Sequence, residues 1–315
     1  MHDIAQAIPQ ALVPICFCIV LGWIAGRTKL MAVEHGRALA RFVVLFALPI
    51  ALFLAASKAN PADIFNLRIL LALLVGFGIT FLIGLIAGHG IFHHKEAESV
   101  LQALACSFPN IAYCGPPVLI ASVGSSAVLM VVTGNLIVTL IIVPVALIIL
   151  ARSAQDEAHK ISLFKALLNA VKQPLVFLPV SGACAAALGL TLPHLASSAV
   201  EQIGAAAGGV ALFALGLTLS GIPIRFSGEV SFNVLVKNVI QPIIIFAAAW
   251  ALGLKGALLA QTFLLGVLPT ATEVSAIAMS RNIYRDEAAD STIASVLVSV
   301  ITISAGVAVA FMVQP

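Results

Sequence analysis

Long runs of apolar residues with almost no charge are the feature that most limits what this chain can fold into. A helix that crosses a lipid bilayer needs about 20 apolar residues. Only 9% of the residues are charged, so a soluble fold would leave too much apolar surface in water. The sequence predicts an all-α polytopic membrane protein of about ten transmembrane helices, at roughly 6–26, 38–57, 67–92, 100–122, 125–151, 166–190, 194–221, 232–253, 256–280 and 288–313.

The distribution of lysine and arginine supports this count and predicts an orientation. If the N-terminus lies outside, three of the 16 basic residues fall at the outer ends of the helices, namely Lys58, Arg68 and Lys255. The other thirteen fall at the inner ends. Because basic residues concentrate on the cytoplasmic side, we expect both termini to lie outside. The first stretch lacks a basic leader and is interpreted as a membrane helix rather than a cleaved signal.

Composition and motifs argue against several other classes of protein. The net charge of +3 is scattered, so no nucleic-acid partner is expected. The five cysteines match no metal pattern, and His89, His93 and His94 beside Lys95 are interpreted as a solvated helix end. No phosphate-binding loop or protease motif is present. We expect no cofactor, no metal and no enzymatic activity.

The chain divides into two halves that resemble each other. The first five stretches occupy 1–152, a polar linker occupies 153–165, and the second five occupy 166–315. Because each half has an odd number of spans, the second half enters from the opposite side of the membrane. In each half the fourth stretch carries a proline near its middle. This pattern is typical of the inverted repeats of secondary transporters.

The two fourth stretches are expected to be interrupted helices. They read SVLQALACSFPNIAYCGPPVLIASVG over 99–124 and ALLAQTFLLGVLPTATEVSAIAMSRN over 257–282. Proline removes a helical hydrogen bond and clashes with the preceding turn. Irregular backbone inside a bilayer is tolerated where it is buried in protein or lines a cavity. We therefore predict a substrate site where the breaks meet, with these candidate residues: Pro109, Asn110, Tyr113, Gly115, Pro116, Asn135, Pro269, Thr270 and Thr272.

Individual polar residues leave alternatives open. Glu273 lies in an otherwise uncharged stretch, where a carboxylate is costly unless it is protonated, paired or hydrated. It could carry a coupling proton or cation, or be a solvated group near the membrane surface. Asn110 could bind substrate or cap freed backbone, and Tyr113 could bind substrate or pack. Asn135 could instead hold helices together, and Lys237 is expected to extend toward the membrane surface.

Three runs resemble the auxin efflux carrier family. SFPNIAYCGPPVLIASVG at 107–124 is similar to that family's fourth helix, in which an asparagine is followed by Gly-x-Pro. GGVALFALGLTLSG at 208–221 resembles the seventh helix, and LPTATEVSAIAMSRNIY at 268–284 resembles the broken ninth helix. The resemblance covers essentially the whole chain. The short linker between the halves is similar to that of the bacterial malonate and malate permeases.

This resemblance implies two inverted five-helix repeats with crossed, broken helices four and nine, as in the bile-acid/sodium symporter and NhaA-like folds. It implies a scaffold domain of helices one, two, six and seven, and a transport domain of helices three to five and eight to ten. The expected function is elevator-like transport of a small organic anion across the bacterial inner membrane. Pro109 or Pro116 and Pro269 would mark the crossing, and Asn110 would be the substrate ligand. A homodimer through the scaffold domain stays open.

Glu273 departs from what the resemblance to organic-anion carriers leads us to expect, and it keeps other functions in consideration. A carboxylate beside the second interruption would repel an anion unless it were protonated or ion-paired, so coupling to H⁺ or Na⁺ stays open. One alternative is a sodium- or proton-coupled bile-acid-type symporter, and a less favoured one is a non-transporting membrane sensor. The stretches contain no paired aspartates, which argues against a sodium/proton antiporter.

Overall fold

A computed structural model describes residues 2–58, 66–124, 127–153, 172–190, 192–221 and 225–313. Within these ranges the chain forms helices and no extended strand. In chain order the helices are α1 (His2–Arg27), α2 (Val33–Ser57), α3 (Leu67–Gly90), α4 (Glu96–Ser107), α5 (Ile111–Val123), α6 (128–153), α7 (Pro174–Ala187), α8 (His194–Leu219), α9 (Gly228–Ala251), α10 (Gly256–Val267), α11 (Thr272–Arg281) and α12 (Arg285–Val313).

Six of these helices are long and apolar enough to cross a membrane. They include α2, α3, α8, α9 and α12 together with Met130–Leu150 of α6. Shorter apolar helices occur at Cys16–Arg27, Val176–Ala187 and Gly256–Val267. The protein is therefore an integral, polytopic α-helical membrane protein, as its apolar stretches predict. The count of ten spans and their inverted repetition stay predictions.

Three helices contain a π-helical turn that ends two residues before a proline. The turns are Val43–Ala47, Val138–Ile142 and Val236–Ile240, and the prolines are Pro49, Pro144 and Pro242. A proline has no N–H for the carbonyl one turn earlier, and its ring clashes with that turn. We attribute the wider turns to this clash, since a π-turn changes the hydrogen-bond spacing. The turn in α9 contains Lys237 and Asn238.

The first of two compact units comprises 1–66, 111–135 and 172–223. In it, α1 packs along α8, α2 packs against α7 and α8, and α5 contacts α1 and α8. Glycine permits the closest of these contacts, because a Cβ atom on Gly22 would collide with the main-chain carbonyl of Phe213. Small residues allow membrane helices to approach in this way.

The second unit comprises 67–110, 136–171 and 224–315. In it, α3 packs against α4 and α9, while α12 packs against α9, α10 and α11. A Cβ atom on Gly84 of α3 would lie 2.7 Å from the Cα atom of Ala103 in α4. This unit contains Pro109 and Pro269, the prolines at which the interruptions are predicted. Beyond Ser153, the predicted linker 153–165 lies outside the described residues, and the division into scaffold and transport domains stays a prediction.

Candidate functional site

Proline ends the first half-helix of each interrupted stretch. Phe108 precedes Pro109 and Leu268 precedes Pro269, and the residue before a proline is disfavoured in the helical conformation. Phe108 accordingly has φ −88° and ψ 102°, and Leu268 has φ −61° and ψ 147°. Helix α4 therefore ends at Ser107 and α10 ends at Val267. We call Phe108–Asn110 the first break and Leu268–Ala271 the second break.

The two breaks pair with each other through their backbones. The Asn110 N–H donates to the Pro269 carbonyl at 2.7 Å, and the Ala271 N–H donates to the Phe108 carbonyl at 2.9 Å. Pro109 and Thr270 thus form an isolated antiparallel bridge. Backbone groups at membrane depth need such internal partners, because lipid offers none. The structure therefore brings together Pro109, Asn110, Pro269 and Thr270, all of which are buried.

Helix α9 caps the carbonyl ends of both half-helices. Gln241 Nε2 donates to the Ser107 carbonyl of α4 at 2.8 Å and to Thr80 Oγ1 at 2.9 Å. Lys237 Nζ donates to the Gly266 carbonyl of α10 at 3.2 Å and, through a shorter contact, to the Leu268 carbonyl. Carbonyls at a helix end have no intrahelical partner. One helix therefore satisfies the exposed ends of two others.

The position of Lys237 contradicts the expectation that its side chain reaches the membrane surface. The side chain is fully buried, with 0% of its surface exposed. Two carbonyls at the end of α10 hold the ammonium group inside the unit. These carbonyls can accept its hydrogen bonds because the helix ends there and leaves them without an intrahelical partner. A signal was present in the sequence, since Lys237, Asn238 and Gln241 place three polar side chains within one apolar stretch.

Thr270 is held at the second break by its own polar groups. Its hydroxyl donates to the Ala105 carbonyl at 3.0 Å, and its N–H donates to Ser295 Oγ at 2.8 Å. Ser295 in turn donates to Asn238 Oδ1 at 2.6 Å. The hydroxyl hydrogen of Thr270 is thus occupied by protein. Toward a ligand, this predicted site residue is available as a hydrogen-bond acceptor.

Thr272 and Glu273 open helix α11 directly after the second break. Both side chains are partly buried, and Thr272 Oγ1 donates to Glu273 Oε2 at 3.3 Å. A carboxylate in the first turn of a helix is stabilised by the helix dipole. The structure therefore places these two predicted residues next to the second break, where Glu273 has a hydroxyl partner within its own turn.

The remaining candidates, Tyr113, Gly115, Pro116 and Asn135, lie in the first unit. The Tyr113 hydroxyl donates to the Ala40 carbonyl at 3.5 Å, and Asn135 is buried within α6. Of the two prolines that could mark the first interruption, the chain breaks at Pro109, whereas Gly115 and Pro116 lie within α5, which is helical from Ile111 onward. Pro116 lacks the N–H that would bond to the Ala112 carbonyl, yet α5 continues through it to Val123.

A partly buried polar cluster in the second unit was missed from the sequence. Glu229 Oε1 lies 2.7 Å from His94 Nε2 and accepts a hydrogen bond from the Tyr284 hydroxyl. Asn233 donates to Tyr284 at 3.0 Å and accepts from Gln102 Nε2 at 3.0 Å. Burial, together with the bond to Glu229, raises the pKa of the Tyr284 phenol, which lies in the turn before α12. His94 is therefore a paired group rather than a solvated helix end.

Comparisons with known proteins agree with the membrane fold. The sequence matches the family model described as "Membrane transport protein" over residues 7–305. It is 32% identical over 294 residues to "Uncharacterized transporter YfdV" of Escherichia coli (strain K12), covering 92% of this chain and 94% of that relative. It is 27% identical over 317 residues to "Putative malonate transporter" of Rhizobium meliloti (strain 1021), covering 93% and 92%. These relatives are transporters rather than enzymes. The chain belongs to this membrane transport family, the auxin efflux carriers that its motifs resemble.

Proposed function

We propose that this protein is a secondary transporter of small organic anions, of the malonate or malate type, and that the substrate binds at the two breaks. The backbone pairing of Asn110 with Pro269 is the observation that carries the proposal. Broken helices that meet inside a membrane unit are typical of transporter substrate sites. The relative named as a malonate transporter supports the choice of substrate class.

Asn110 is the proposed substrate ligand in this site. Its side chain is 1% exposed, and its position is fixed because its own N–H is bonded across the breaks. An amide can donate to a carboxylate without carrying charge. Thr270 and Thr272 stay proposed members of the site. Their hydroxyl hydrogens already go to the Ala105 carbonyl and to Glu273, so they would line the site without donating to the carboxylate. Tyr113, Gly115, Pro116 and Asn135 stay predicted contributors from the first unit.

Glu273 is the proposed carrier of a coupling proton. It adjoins the second break, and a carboxylate that binds a proton loses the charge that would repel an anion. A sodium-coupled symporter is the second candidate, since freed carbonyls can hold a cation. The carbonyls of Ser107, Gly266 and Leu268 already accept hydrogen bonds from α9. We therefore favour the proton.

For the transport mechanism as a whole, we propose what the resemblance to the auxin efflux carriers implies. Two inverted five-helix repeats would lie in the bacterial inner membrane with both termini outside. A transport domain would move against a scaffold domain and carry the substrate past it by an elevator-like motion. A membrane sensor is the weakest of the candidates, because the family model and the relatives are described as transporters.

A thermal-shift screen of the purified protein tests the substrate class. Mono- and dicarboxylates are added singly, with and without sodium, and the melting temperature is measured. We expect malonate or a related dicarboxylate to raise the melting temperature, and neutral amide analogues to leave it unchanged. Failure of every organic anion to stabilise the protein, at either sodium concentration, would refute the proposal. Uptake of the best ligand into proteoliposomes then establishes transport.

A further inference from the structure

Lys237 stands apart from the other charged residues of the molecule. Among the described side chains, no other lysine, arginine, aspartate or glutamate is buried to this degree. Its ammonium group lies at the carbonyls of Gly266 and Leu268, so it is within one peptide unit of Pro269 at the second break. Ionisable groups inside a membrane protein are costly, and they commonly mark substrate or ion pathways.

Capping alone does not account for a charge at this position. Gln241, one turn further along the same helix, caps the Ser107 carbonyl of α4 with a neutral amide. The two half-helix ends therefore receive the same kind of hydrogen bond from the same helix, but only one of the two donors is charged. A neutral donor would avoid the desolvation cost of a buried ammonium group. The two half-helix ends are thus capped alike and differ in the charge of the capping side chain.

The electrostatic consequence follows from the helix dipole. The C-terminal end of a helix carries about half a negative elementary charge. One ammonium group reverses the sign at the end of α10, whereas the neutral amide of Gln241 leaves the end of α4 negative. The second break therefore has a positive helix end, although Glu273 follows it in the sequence.

We propose that Lys237 is the specificity-determining residue of the substrate site, whose ammonium group selects carboxylates over neutral analogues. This inference rests on the proposed function, because it assigns the charge selection of that same site. It predicts that affinity for the anion depends on the charge at position 237. For anion affinity, the ability of residue 237 to donate a hydrogen bond matters less than its charge.

The test compares wild-type protein with K237R, K237Q and K237M in proteoliposomes, using malonate uptake and the melting temperature of each variant. K255M is the matched control, since Lys255 is an exposed lysine at the other end of α10. We expect K237Q and K237M to raise the KM for malonate on the order of tenfold, the size expected for the loss of one nearby charge at an effective dielectric constant near 20. K255M should stay within about threefold of wild type. K237R keeps the charge but places a larger group in a fully buried position, so it should lose less affinity than K237Q.

The outcomes separate this inference from the proposed function. If wild-type protein binds no carboxylate, both fall. If wild-type protein transports malonate and a folded K237Q or K237M keeps its KM, Lys237 does not select the anion. A K237R variant that loses affinity as severely as K237Q, at equal melting temperature, would also overturn the role of charge. Should K237M not fold, K237Q provides the comparison, because it retains a donor near the α10 carbonyls.

Discussion

The two breaks share one backbone design and differ in their charge. Each begins with a residue before a proline, each pairs with the other across Pro109 and Thr270, and each follows a half-helix capped by α9. The side chain at the first break, the Asn110 amide, and the side chain that caps the preceding half-helix, the Gln241 amide, are both neutral. The second break has the buried Lys237 behind it and Glu273 after it.

This difference suggests a division of labour. A neutral amide at the first break can bind a carboxylate by hydrogen bonds whose geometry is fixed. The charged groups at the second break can set the sign of the ligand and respond to a proton. The first break would then recognise shape, and the second break would recognise charge. The predictions below separate these two roles, beginning with the largest expected effect.

Replacing Asn110 with alanine should weaken substrate binding most. A hydrogen bond to a charged group contributes about 1.5–3 kcal/mol, so the affinity for malonate should fall about 10- to 100-fold. The Asn110 backbone bond to Pro269 does not involve the side chain and should survive. Binding is measured by the ligand-induced thermal shift. Gln202→Ala, which removes an exposed amide from α8, serves as the control. If Asn110→Ala binds malonate as tightly as wild type, the first break does not recognise the substrate.

Replacing Gln241 with leucine should reduce stability without changing the preference for anions. Two hydrogen bonds are lost, and the Ser107 carbonyl loses its donor from α9. An average interhelical bond in a membrane protein contributes about 0.6 kcal/mol, and a buried unsatisfied group costs about 1–3 kcal/mol, so we expect a loss of about 1–2 kcal/mol. The measurements are the melting temperature and the ratio of malonate to malonamide binding. A change in that ratio would show that the two caps are not functionally distinct.

Replacing Glu273 with glutamine should uncouple transport from the proton gradient and leave substrate affinity nearly unchanged. If one proton moves with each anion, the accumulation ratio changes about tenfold for each unit of pH difference. Glu273→Gln should lose this dependence in proteoliposomes, while exchange of labelled for unlabelled substrate at equal pH continues. Glu96→Gln, at an exposed position in the first turn of α4, is the control. Accumulation that still follows the pH difference would exclude Glu273 as the proton carrier.

The helical membrane fold and the two breaks could be predicted from local sequence. Proline acts on its immediate neighbours, so the interruptions at Pro109 and Pro269 were visible in the sequence. Lys237 could not be placed in this way, because its partners at Gly266 and Leu268 are about 30 residues away and become available only through packing. The cluster of His94, Glu229 and Tyr284 escaped prediction for the same reason. Local sequence could not decide between Pro109 and Pro116 as the point of interruption, because a membrane helix can continue through a proline, as α5 does at Pro116.

Replacing Thr272 with valine has the smallest expected effect, and it tests whether the second break acts on charge alone. Its hydroxyl donates to Glu273 at 3.3 Å, which is long for a hydrogen bond between oxygen atoms. Thr272→Val keeps the shape and removes the donor, and a weak bond of about 0.5 kcal/mol corresponds to roughly a twofold effect. If the second break handles charge, this small effect should appear in the pH dependence of accumulation and leave the KM for malonate unchanged. A larger effect on the KM would instead make Thr272 a direct substrate ligand, and recognition of shape would then involve both breaks.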